Sequence, residues 1–321
     1  MLLGASAAGA AEDPITISAN RLITVFGSIN ADMIFEVAQL PVPGQTLLAR
    51  GFRIEAGGKG ANQAVAAARD GASVAMVGAV GSDALAEPAL AGLIASGVDL
   101  SKVARSTQPT GCAGINTDAE GRNQIVVALG ANASISEKQL DYELLSRSKL
   151  LLLQMESPVR EVEAVIARAR SAGVKCILNL APAIPISRAA LSACGMIIVN
   201  EDEADALGGW LGCGPGALQL HRALGVDIVR TLGGEGAESC SSERGFQRVR
   251  ARPVTPMDTT AAGDCFIGAL AAELTRGASL ADGLVWAGTA AALCCTRAGS
   301  QSSLPRHQET REAFTRWERA G

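Results

Sequence analysis

Short apolar runs typical of buried strands alternate with helix-type segments along most of this chain. The run at residues 22–27 is followed by an Ala-rich helical segment at 60–70 and by a second strand-like run at 73–80. Parallel strands need crossover connections, which helices usually supply. The alternation therefore predicts an α/β fold with a mostly parallel central sheet and helices on both faces. Further strand-like runs lie at residues 149–154, 174–179, 196–200 and 226–232, and helix-like segments at 262–276 and 280–296.

Two segments depart from this alternation. Residues 101–134 contain short β-type runs broken by Gly, Thr and Asn, which predicts a β flap. With residues from the first half of the chain they would form a small β-sheet lid, whose segments we expect near 33–56 and 108–128. Residues 1–20 contain no Lys or Arg and are rich in Ala and Gly, which favours a loose extension over a signal peptide. The folded domain is predicted at 21–321.

Composition argues against several classes of function. The net charge is −4, no basic run stands out, and the aromatic residues are few (Trp 3, Tyr 1, Phe 6), so nucleic acid is not expected as a partner. No apolar run reaches the roughly 20 residues of a membrane helix. The eight cysteines form no CxxC pair. They suit reduced, mostly buried thiols in the cytoplasm, with a disulfide or zinc framework as the alternative. We expect the two histidines, His221 and His307, at the surface.

The motif DTTAAGD at residues 258–264 precedes an apolar helical segment. Its small residues let a ligand approach the backbone, and N–H groups at a helix start favour an anion. Asp264 falls in the first helical turn, where its carboxylate could take a proton from an attacking hydroxyl. The alternative interpretation is an ordinary helix start, because Asp and Gly are common there.

Two further motifs suggest binding of a polar ligand. AGGKGANQA at residues 56–64 lacks the spacing of a Walker loop, but Lys59 and Asn62 could bind a polyhydroxylated molecule. GSINAD at residues 27–32 ends the first predicted strand, and it lacks the GxGxxG pattern of dinucleotide-binding folds. Taken singly, the first motif is explained somewhat better by an ordinary Gly-rich turn, and the second equally well by an Asp–Asn turn.

The motifs occur in a fixed order with four more: GANA at 130–133, QMESP at 154–158, NEDEAD at 200–205 and TLGGEG at 231–236. Together they resemble the ribokinase-like, PfkB-type carbohydrate kinases, over roughly residues 23–305. The resemblance implies transfer of the γ-phosphoryl group of ATP to the primary hydroxyl of a pentose, with D-ribose as the first expectation. It also implies Mg²⁺ with ATP, K⁺ as an activating monovalent cation, and a homodimer formed through the lid.

The resemblance also implies a role for individual positions. Asp264 would be the catalytic base, and the backbone of Ala261, Ala262 and Gly263 would form an anion hole. The sugar would be bound by Asn30, Ala31, Asp32, Gly57, Gly58, Lys59, Gly60, Ala61, Asn62, Glu156 and Asp264. The nucleotide would be bound by Asn200, Glu203, Thr231, Leu232, Gly233, Gly234, Glu235, Gly236 and Gly263, with Glu203 acting on magnesium through water. The monovalent cation would be bound by Asp258, Thr260, Cys294, Arg297, Gly299 and Ser303, several of them through backbone carbonyls.

Three positions depart from the family pattern. Gly288 stands where a His or Asn often lies against adenine, and Ala298 and Ser302 replace residues usual near the cation. Three alternatives stay open from the sequence: a kinase for another sugar or a nucleoside, a non-catalytic sugar-binding homologue, and a nicotinamide-dependent oxidoreductase.

Overall fold

A computed structural model of the protein describes residues 22–120 and 122–320, so the predicted extension at residues 1–20 lies outside the described residues. The strands of the described part are β1 (Leu22–Phe26), β2 (Asn30–Glu36), β3 (Gly51–Gly57), β4 (Ser73–Val80), β5 (Asp99–Arg105), β6 (Gly111–Thr117), β7 (Asn123–Ala128), β8 (Ser148–Leu153), β9 (Lys175–Asn179), β10 (Met196–Val199), β11 (Asp227–Thr231), β12 (Ala237–Ser241) and β13 (Gly245–Val249). The α-helices are α1 (Lys59–Arg69), α2 (Ala86–Ala95), α3 (Tyr142–Arg147), α4 (Val159–Ser171), α5 (Arg188–Leu191), α6 (Glu201–Leu211), α7 (Ala217–Leu224), α8 (Ala262–Arg276), α9 (Leu280–Cys295) and α10 (His307–Ala320).

Among the described residues, nine strands form one large sheet in the order β13-β12-β11-β10-β9-β8-β1-β4-β5. In this order, every pair of neighbours from β11 to β5 is parallel, whereas β12 is antiparallel to both β11 and β13. The predicted mostly parallel sheet is therefore confirmed. The chain continues from β1 to β4 on one side and from β8 to β9 on the other, so the strand order reverses between β1 and β8. Ligands of open α/β sheets bind beyond the carboxyl ends of the strands at such a reversal.

Helices cover both faces of this sheet, as predicted. Alternate residues of each strand point to opposite faces. Val25 and Leu152 belong to a core that includes residues of α1, α8 and α9. Phe26 and Leu153 belong to a second core that includes residues of α4, α6 and α7. All four side chains are completely buried, so the sheet has an apolar core on each face. Thr24, in the middle of β1, is a buried polar exception, and its hydroxyl lies 2.7 Å from that of Ser148.

The remaining four strands of the described part form a small sheet in the order β3-β2-β6-β7. It is mixed: β2 pairs antiparallel with β3 and parallel with β6, and β6 pairs antiparallel with β7. Its strands occupy both segments in which the lid was predicted. One part of the flap prediction is wrong, because residues 101–105 belong to β5 and pair with β4 at the edge of the large sheet. As an edge strand β5 buries few side chains, which gives it the polar pattern of a flap strand.

The cysteines of the described residues are free thiols. Five of them, Cys176, Cys194, Cys240, Cys265 and Cys294, are buried, and burial raises the pKa of Cys194 to about 12. Among residues 22–120 and 122–320, every helix is too short or too polar to span a bilayer.

Candidate active site

Residues from three of the sequence motifs lie at the carboxyl ends of the parallel strands. Asn30 and Asp32 come soon after β1, Glu156 follows β8, and Asn200 follows β10. β1 and β8 are the neighbours at which the strand order reverses. The sequence motifs are therefore brought to the crevice in which the topology of the sheet predicts a ligand.

The backbone at the start of α8 is strained. Ala261 precedes the helix with φ 59° and ψ 6°, and it is the one non-glycine residue with a positive φ in the described part of the chain. This conformation disfavours alanine by about 1–2 kcal/mol, and such strain is typical of functional sites. The N–H of Ala262 donates to the carbonyl of Thr259 at 3.2 Å, whereas a Cβ at Gly263 would meet no atom within 4 Å. Of the three predicted anion-hole residues, Gly263 is thus in open space.

The carboxyl group of Asp264 is buried in the first turn of α8 and held by two neighbouring amides of α1. Asn62 Nδ2 donates to Oδ2 at 3.0 Å, and Gln63 Nε2 donates to Oδ1 at 2.9 Å. Burial raises the pKa of Asp264 above its usual value, and the charge of Lys59 and the two amide donors oppose that rise. The arrangement holds a carboxylate beside the helix start, as a proton acceptor for a hydroxyl requires.

Glu156 joins the GSINAD and GGKGAN segments. Its Oε2 accepts a hydrogen bond from Ser28 Oγ at 2.6 Å and one from the backbone N–H of Lys59 at 3.2 Å. Ser28 Oγ in turn accepts from the backbone N–H of Gly60 at 3.3 Å. The carboxylate of Glu156 therefore sets the position of the loop before α1, in addition to any contact with a ligand.

Asp32 is 6% exposed and lies over β3. A Cβ at Gly57 would stand 2.0 Å from its Oδ2, so glycine is required at that position. Burial, followed by the charges of Glu156 and Glu55, raises the pKa of Asp32 from 3.8 to about 7. An acid so perturbed in a crevice is typical of a binding or catalytic site.

Lys59 is the cation of this cluster. Burial would lower the pKa of its ammonium group, but the charges of Asp264, Glu156 and Glu203 outweigh burial and raise the pKa. Lys59 therefore stays protonated and offsets part of the repulsion among the carboxylates. The predicted sugar residues and the predicted base thus form one electrostatic unit.

Other predicted sugar-site residues shape the crevice through the backbone. Gly58 has φ 89°, and a Cβ there would lie 2.8 Å from the backbone nitrogen of Asn30. A Cβ at Gly60 would lie 2.7 Å from the carbonyl carbon of Gly27, so the two loops touch directly. Ala31 and Ala61 are completely buried. These four residues bring the loops together and offer a ligand little side-chain surface.

A cavity of about 370 Å³ opens beside the start of α8. It is lined by Thr231, Gly233, Gly234 and Gly236 of the TLGGEG motif, by Ala262 and Gly263, by residues 249–254 at the end of β13 and after it, and by Phe266, Leu284 and Gly288. Glycine-rich walls and apolar side chains suit a flat heteroaromatic group joined to an anion at the helix start. Because a Cβ at Gly288 would meet no atom within 4 Å, this departure from the family pattern leaves extra room in the cavity.

Four of the predicted nucleotide residues do not line the cavity. Leu232 is buried, and Glu235 pairs with Arg248 at 2.6 Å. Asn200 and Glu203 cap α6 reciprocally, with both N–H···O distances 2.8 Å. Burial raises the pKa of Glu203, and its charge also acts on Lys59. Glu203 therefore combines a structural role with a place in the charged cluster.

The residues predicted for a monovalent cation come together from two segments. Asp258 accepts hydrogen bonds from the N–H of Thr260 at 2.8 Å and from the N–H of Gly299 at 2.9 Å. Cys294 Sγ lies 3.0 Å from Ser303 Oγ and 3.8 Å from the carbonyl of Thr260. A carboxylate with nearby carbonyl and hydroxyl oxygens suits a hard cation. The Arg297 side chain points away and pairs with Glu309 at 2.5 Å.

Several residues in contact with this site were missed by sequence reasoning. Asn132 is completely buried, and its Nδ2 donates to Asn30 Oδ1 at 2.8 Å. Glu55 accepts from the N–H of Ser300 at 3.2 Å and so links the small sheet to the cation segment. Asn132 lies in the quoted GANA motif, which was the available signal, whereas nothing in the sequence marked Glu55. His307 is also not simply a surface residue, since its Nδ1 lies 3.3 Å from Asp70.

The sequence matches the family described as pfkB family carbohydrate kinase over residues 20–307. The ribokinase of Haemophilus influenzae is 37% identical over 302 residues, covering 91% of this chain and 98% of its own. The chain belongs to the pfkB family of carbohydrate kinases. The structure of ribokinase from Thermotoga maritima superposes with a TM-score of 0.84 at 32% identity, covering 92% of this chain and 99% of that one. The Arabidopsis thaliana ribokinase complexed with ribose and ATP gives 0.82 at 30% identity, with coverage of 92% and 99%.

Members of this family phosphorylate sugar hydroxyl groups, so the chain is a phosphotransferase with an alcohol group as acceptor. The ribokinase-like resemblance and the fold class predicted from the sequence are confirmed. The alternative of a nicotinamide-dependent oxidoreductase is wrong, because the chain belongs to a family of kinases.

Proposed function

We propose that this chain is an ATP-dependent ribose kinase that converts D-ribose to ribose 5-phosphate. The observation that carries the proposal is the crevice between β1 and β8, in which Asp32, Lys59 and Glu156 act electrostatically on Asp264 at the start of α8. Relatives named ribokinase, and one solved with ribose and ATP, support the choice of sugar.

Each part of the crevice has a task in this proposal. Asn30, Asp32 and Asn62 hydrogen-bond the sugar hydroxyls, and Lys59 and Glu156 hold the loop around it. Asp264 accepts the proton of the primary hydroxyl as that oxygen attacks phosphorus. The backbone N–H groups of Ala261 and Gly263, joined by that of Ala262 when it leaves the Thr259 carbonyl, stabilise the negative charge of the transferring group at the helix start. Phosphoryl transfer requires positioning and charge stabilisation more than covalent chemistry, and this site offers both.

The nucleotide belongs in the cavity lined by the TLGGEG motif and α9. Its apolar wall takes the base, and its mouth at Gly263 places the phosphates beside Asp264. Glu203 would hold magnesium through water, and magnesium would neutralise charge on the phosphates. Asp258, the Thr260 carbonyl and the 294–303 segment would hold potassium. That ion would fix the backbone of the anion hole, since Asp258 and Thr260 precede it directly.

The small sheet is proposed as a lid that closes over the sugar and excludes water, which would otherwise accept the phosphoryl group. Its outer strands expose apolar side chains, among them Phe52 at 56% and Val126 at 71%. An exposed apolar edge strand such as β7 favours pairing with another chain, which supports a homodimer formed through the lid. The reduced cysteines and the need for ATP support action in the cytoplasm.

Replacement of the proposed base tests the function. Asp264→Asn keeps the shape of the side chain and removes the proton acceptor, so kcat for D-ribose should fall by about 10²–10⁴-fold. ADP release at saturating Mg–ATP measures the rate, and sugar affinity measured by calorimetry should change much less. Asp205→Asn, on the exposed face of α6, is the matched control and should keep full activity. Activity of Asp264→Asn within tenfold of the parent would contradict the assignment.

A substrate panel tests the choice of sugar against the alternatives of another pentose, deoxyribose or a nucleoside. D-ribose should give the highest kcat/KM, because the carboxylate of Asp32 and the remaining N–H groups of the Asn30 and Asn62 amides can bind several hydroxyls. A higher value for any other acceptor would reassign the substrate. Absence of turnover with every acceptor, together with measurable sugar binding, would instead favour a non-catalytic sugar-binding homologue.

A further inference from the structure

Two glutamines behind the proposed base have no role in the proposed function. Gln63 on α1 and Gln154 after β8 are both completely buried. Burying an amide is unfavourable unless it is hydrogen-bonded, so such side chains are kept where their bonds matter. Gln63 Nε2 donates to Asp264 Oδ1 at 2.9 Å, and Gln154 Nε2 donates to Gln63 Oε1 at 2.6 Å. The three side chains form a continuous buried chain that ends on the proposed base.

The direction of this chain follows from the charge of Asp264. An ionised carboxylate only accepts hydrogen bonds, so Gln63 must turn its NH₂ group toward Asp264. Its carbonyl oxygen then faces Gln154, which must in turn present its own NH₂ group. As a result Gln154 Oε1 is left buried with no partner among the described residues, in a space where a Cβ at Gly27 would lie 1.9 Å away. A chain that leaves a buried oxygen unpaired at one end is oriented by the charge at its other end.

We propose that Gln63 and Gln154 are positioning residues that form an amide relay, which holds Asp264 in its ionised, proton-accepting form. The inference rests on the proposed function of Asp264. Gln63 fixes Oδ1 through a bond to the charged form, and Asn62 does the same for Oδ2. Gln154 fixes the orientation of Gln63, since without it the Gln63 amide could rotate and present its oxygen to the carboxylate.

The relay also opposes the effect of burial. Burial raises the pKa of Asp264, and so does the charge of Glu156, whereas the charge of Lys59 and the hydrogen bonds from Gln63 and Asn62 lower it. Asp32 and Glu203 are the other carboxyl groups that interact with it, and all of these charged groups are unchanged in the variants below. Removal of a donor to the charged form raises the pKa of the acid. If the base must be ionised for turnover, the acid limb of the kcat profile should move to higher pH.

The experiment compares pH profiles of kcat with saturating D-ribose and Mg–ATP. Gln63→Met keeps the volume and removes the donor, and it should shift the acid limb upward by about one pH unit. At pH values below the limb, kcat of Gln63→Met should be about tenfold lower than kcat of the parent, and the two values should agree at high pH. Gln154→Met should shift the limb in the same direction by less, and the double variant should shift it no further than Gln63→Met, because Gln154 acts through Gln63.

Gln139→Met is the matched control. Gln139 Nε2 donates to the backbone carbonyls of Gly78 and Lys102, so its loss should leave the acid limb in place whatever it does to stability. An acid limb of Gln63→Met that coincides with the parent would overturn the relay. If Gln63→Met fails to fold, Gln154→Met decides by the same criterion. The relay can fail while Asp264→Asn is still inactive, so its failure is distinct from failure of the proposed function.

Discussion

The ionised carboxylate of Asp32 should destabilise the ligand-free protein, and this effect can be measured. Asp32 is buried, and its pKa is raised from 3.8 to about 7, first by burial and then by the charges of Glu156 and Glu55. Between these two pH values the folded chain holds a proton that the unfolded chain has released. Stability therefore falls as pH rises from about 4 to about 7, and it levels off above the folded pKa. The stabilisation that comes from this protonation is complete only below the pKa that Asp32 has in the unfolded chain.

The size of the effect follows from the interval between the two pKa values. At about 1.4 kcal/mol for each pH unit, the interval corresponds to about 4 kcal/mol as an upper limit. Asp32→Asn keeps the shape and removes the titrating group. The free energy of unfolding of Asp32→Asn, relative to the parent, should therefore grow by up to about 4 kcal/mol between pH 4 and pH 8.

Urea unfolding of both proteins at several pH values without sugar measures this difference. The other titrating groups are common to both chains, so the comparison isolates Asp32 and its coupling to its neighbours. Asp205→Asn, which removes a carboxyl group from the exposed face of α6, is the control for the loss of a charge outside the site. A difference between Asp32→Asn and the parent that is flat, or that shrinks as pH rises, would refute the reasoning. Asp32→Asn should also bind D-ribose more weakly, because it lacks the charged hydrogen-bond acceptor whose burial lowers the stability of the parent.

Two other predictions concern packing and the cation. A Cβ at Gly268 would lie 2.5 Å from Ala66 Cβ and 2.6 Å from the Gln63 carbonyl oxygen, so Gly268→Ala should destabilise the protein by about 1–3 kcal/mol in urea unfolding. Gly209→Ala, also in a helix but with no atom within 4 Å of the added Cβ, should instead stabilise it by about 0.5–1 kcal/mol, and the same sign for both variants would contradict this packing. Potassium should raise kcat or lower the KM for ATP relative to tetramethylammonium at constant ionic strength, and Asp258→Ala should lose that response. Equal rates of the parent in the two salts would show that the chain lacks the cation site, and the kinase assignment would still stand.

Much of the fold could be predicted from local pattern. The segment at 262–276 was predicted as a helix from its apolar composition and the glycine after it, and α8 has those bounds, with Gly277 in the left-handed conformation. The short β-type runs at residues 101–134 predicted the half of the small sheet that contains β6 and β7. The pairing of β5 was not predicted, because an edge strand that buries little has no pattern that distinguishes it from a flap strand.

The candidate site divides in the same way. The family resemblance of the ordered motifs selected Asp264, Asp32, Lys59 and Glu156 as candidates, and the structure places them close enough to act on one another electrostatically. Sequence order could not predict that Glu55 contacts Ser300, 245 residues away, or that residues after β13 line the cavity beside the start of α8. Those contacts depend on how the strand ends and the small sheet are placed in space.

The sequence by itself determined the family, the alternation of strands and helices, and the chemical identity of the groups at the strand ends. Only the tertiary structure decided which of those groups interact and in what state of charge. Gln63 and Gln154 are unremarkable polar residues in the sequence, and they form a relay only because α1, β8 and α8 bury them side by side. The physical reason is that burial and hydrogen bonding depend on distances between segments far apart in the chain. Residue type supplies a carboxyl group or an amide, and folding sets its charge, its orientation and its partners.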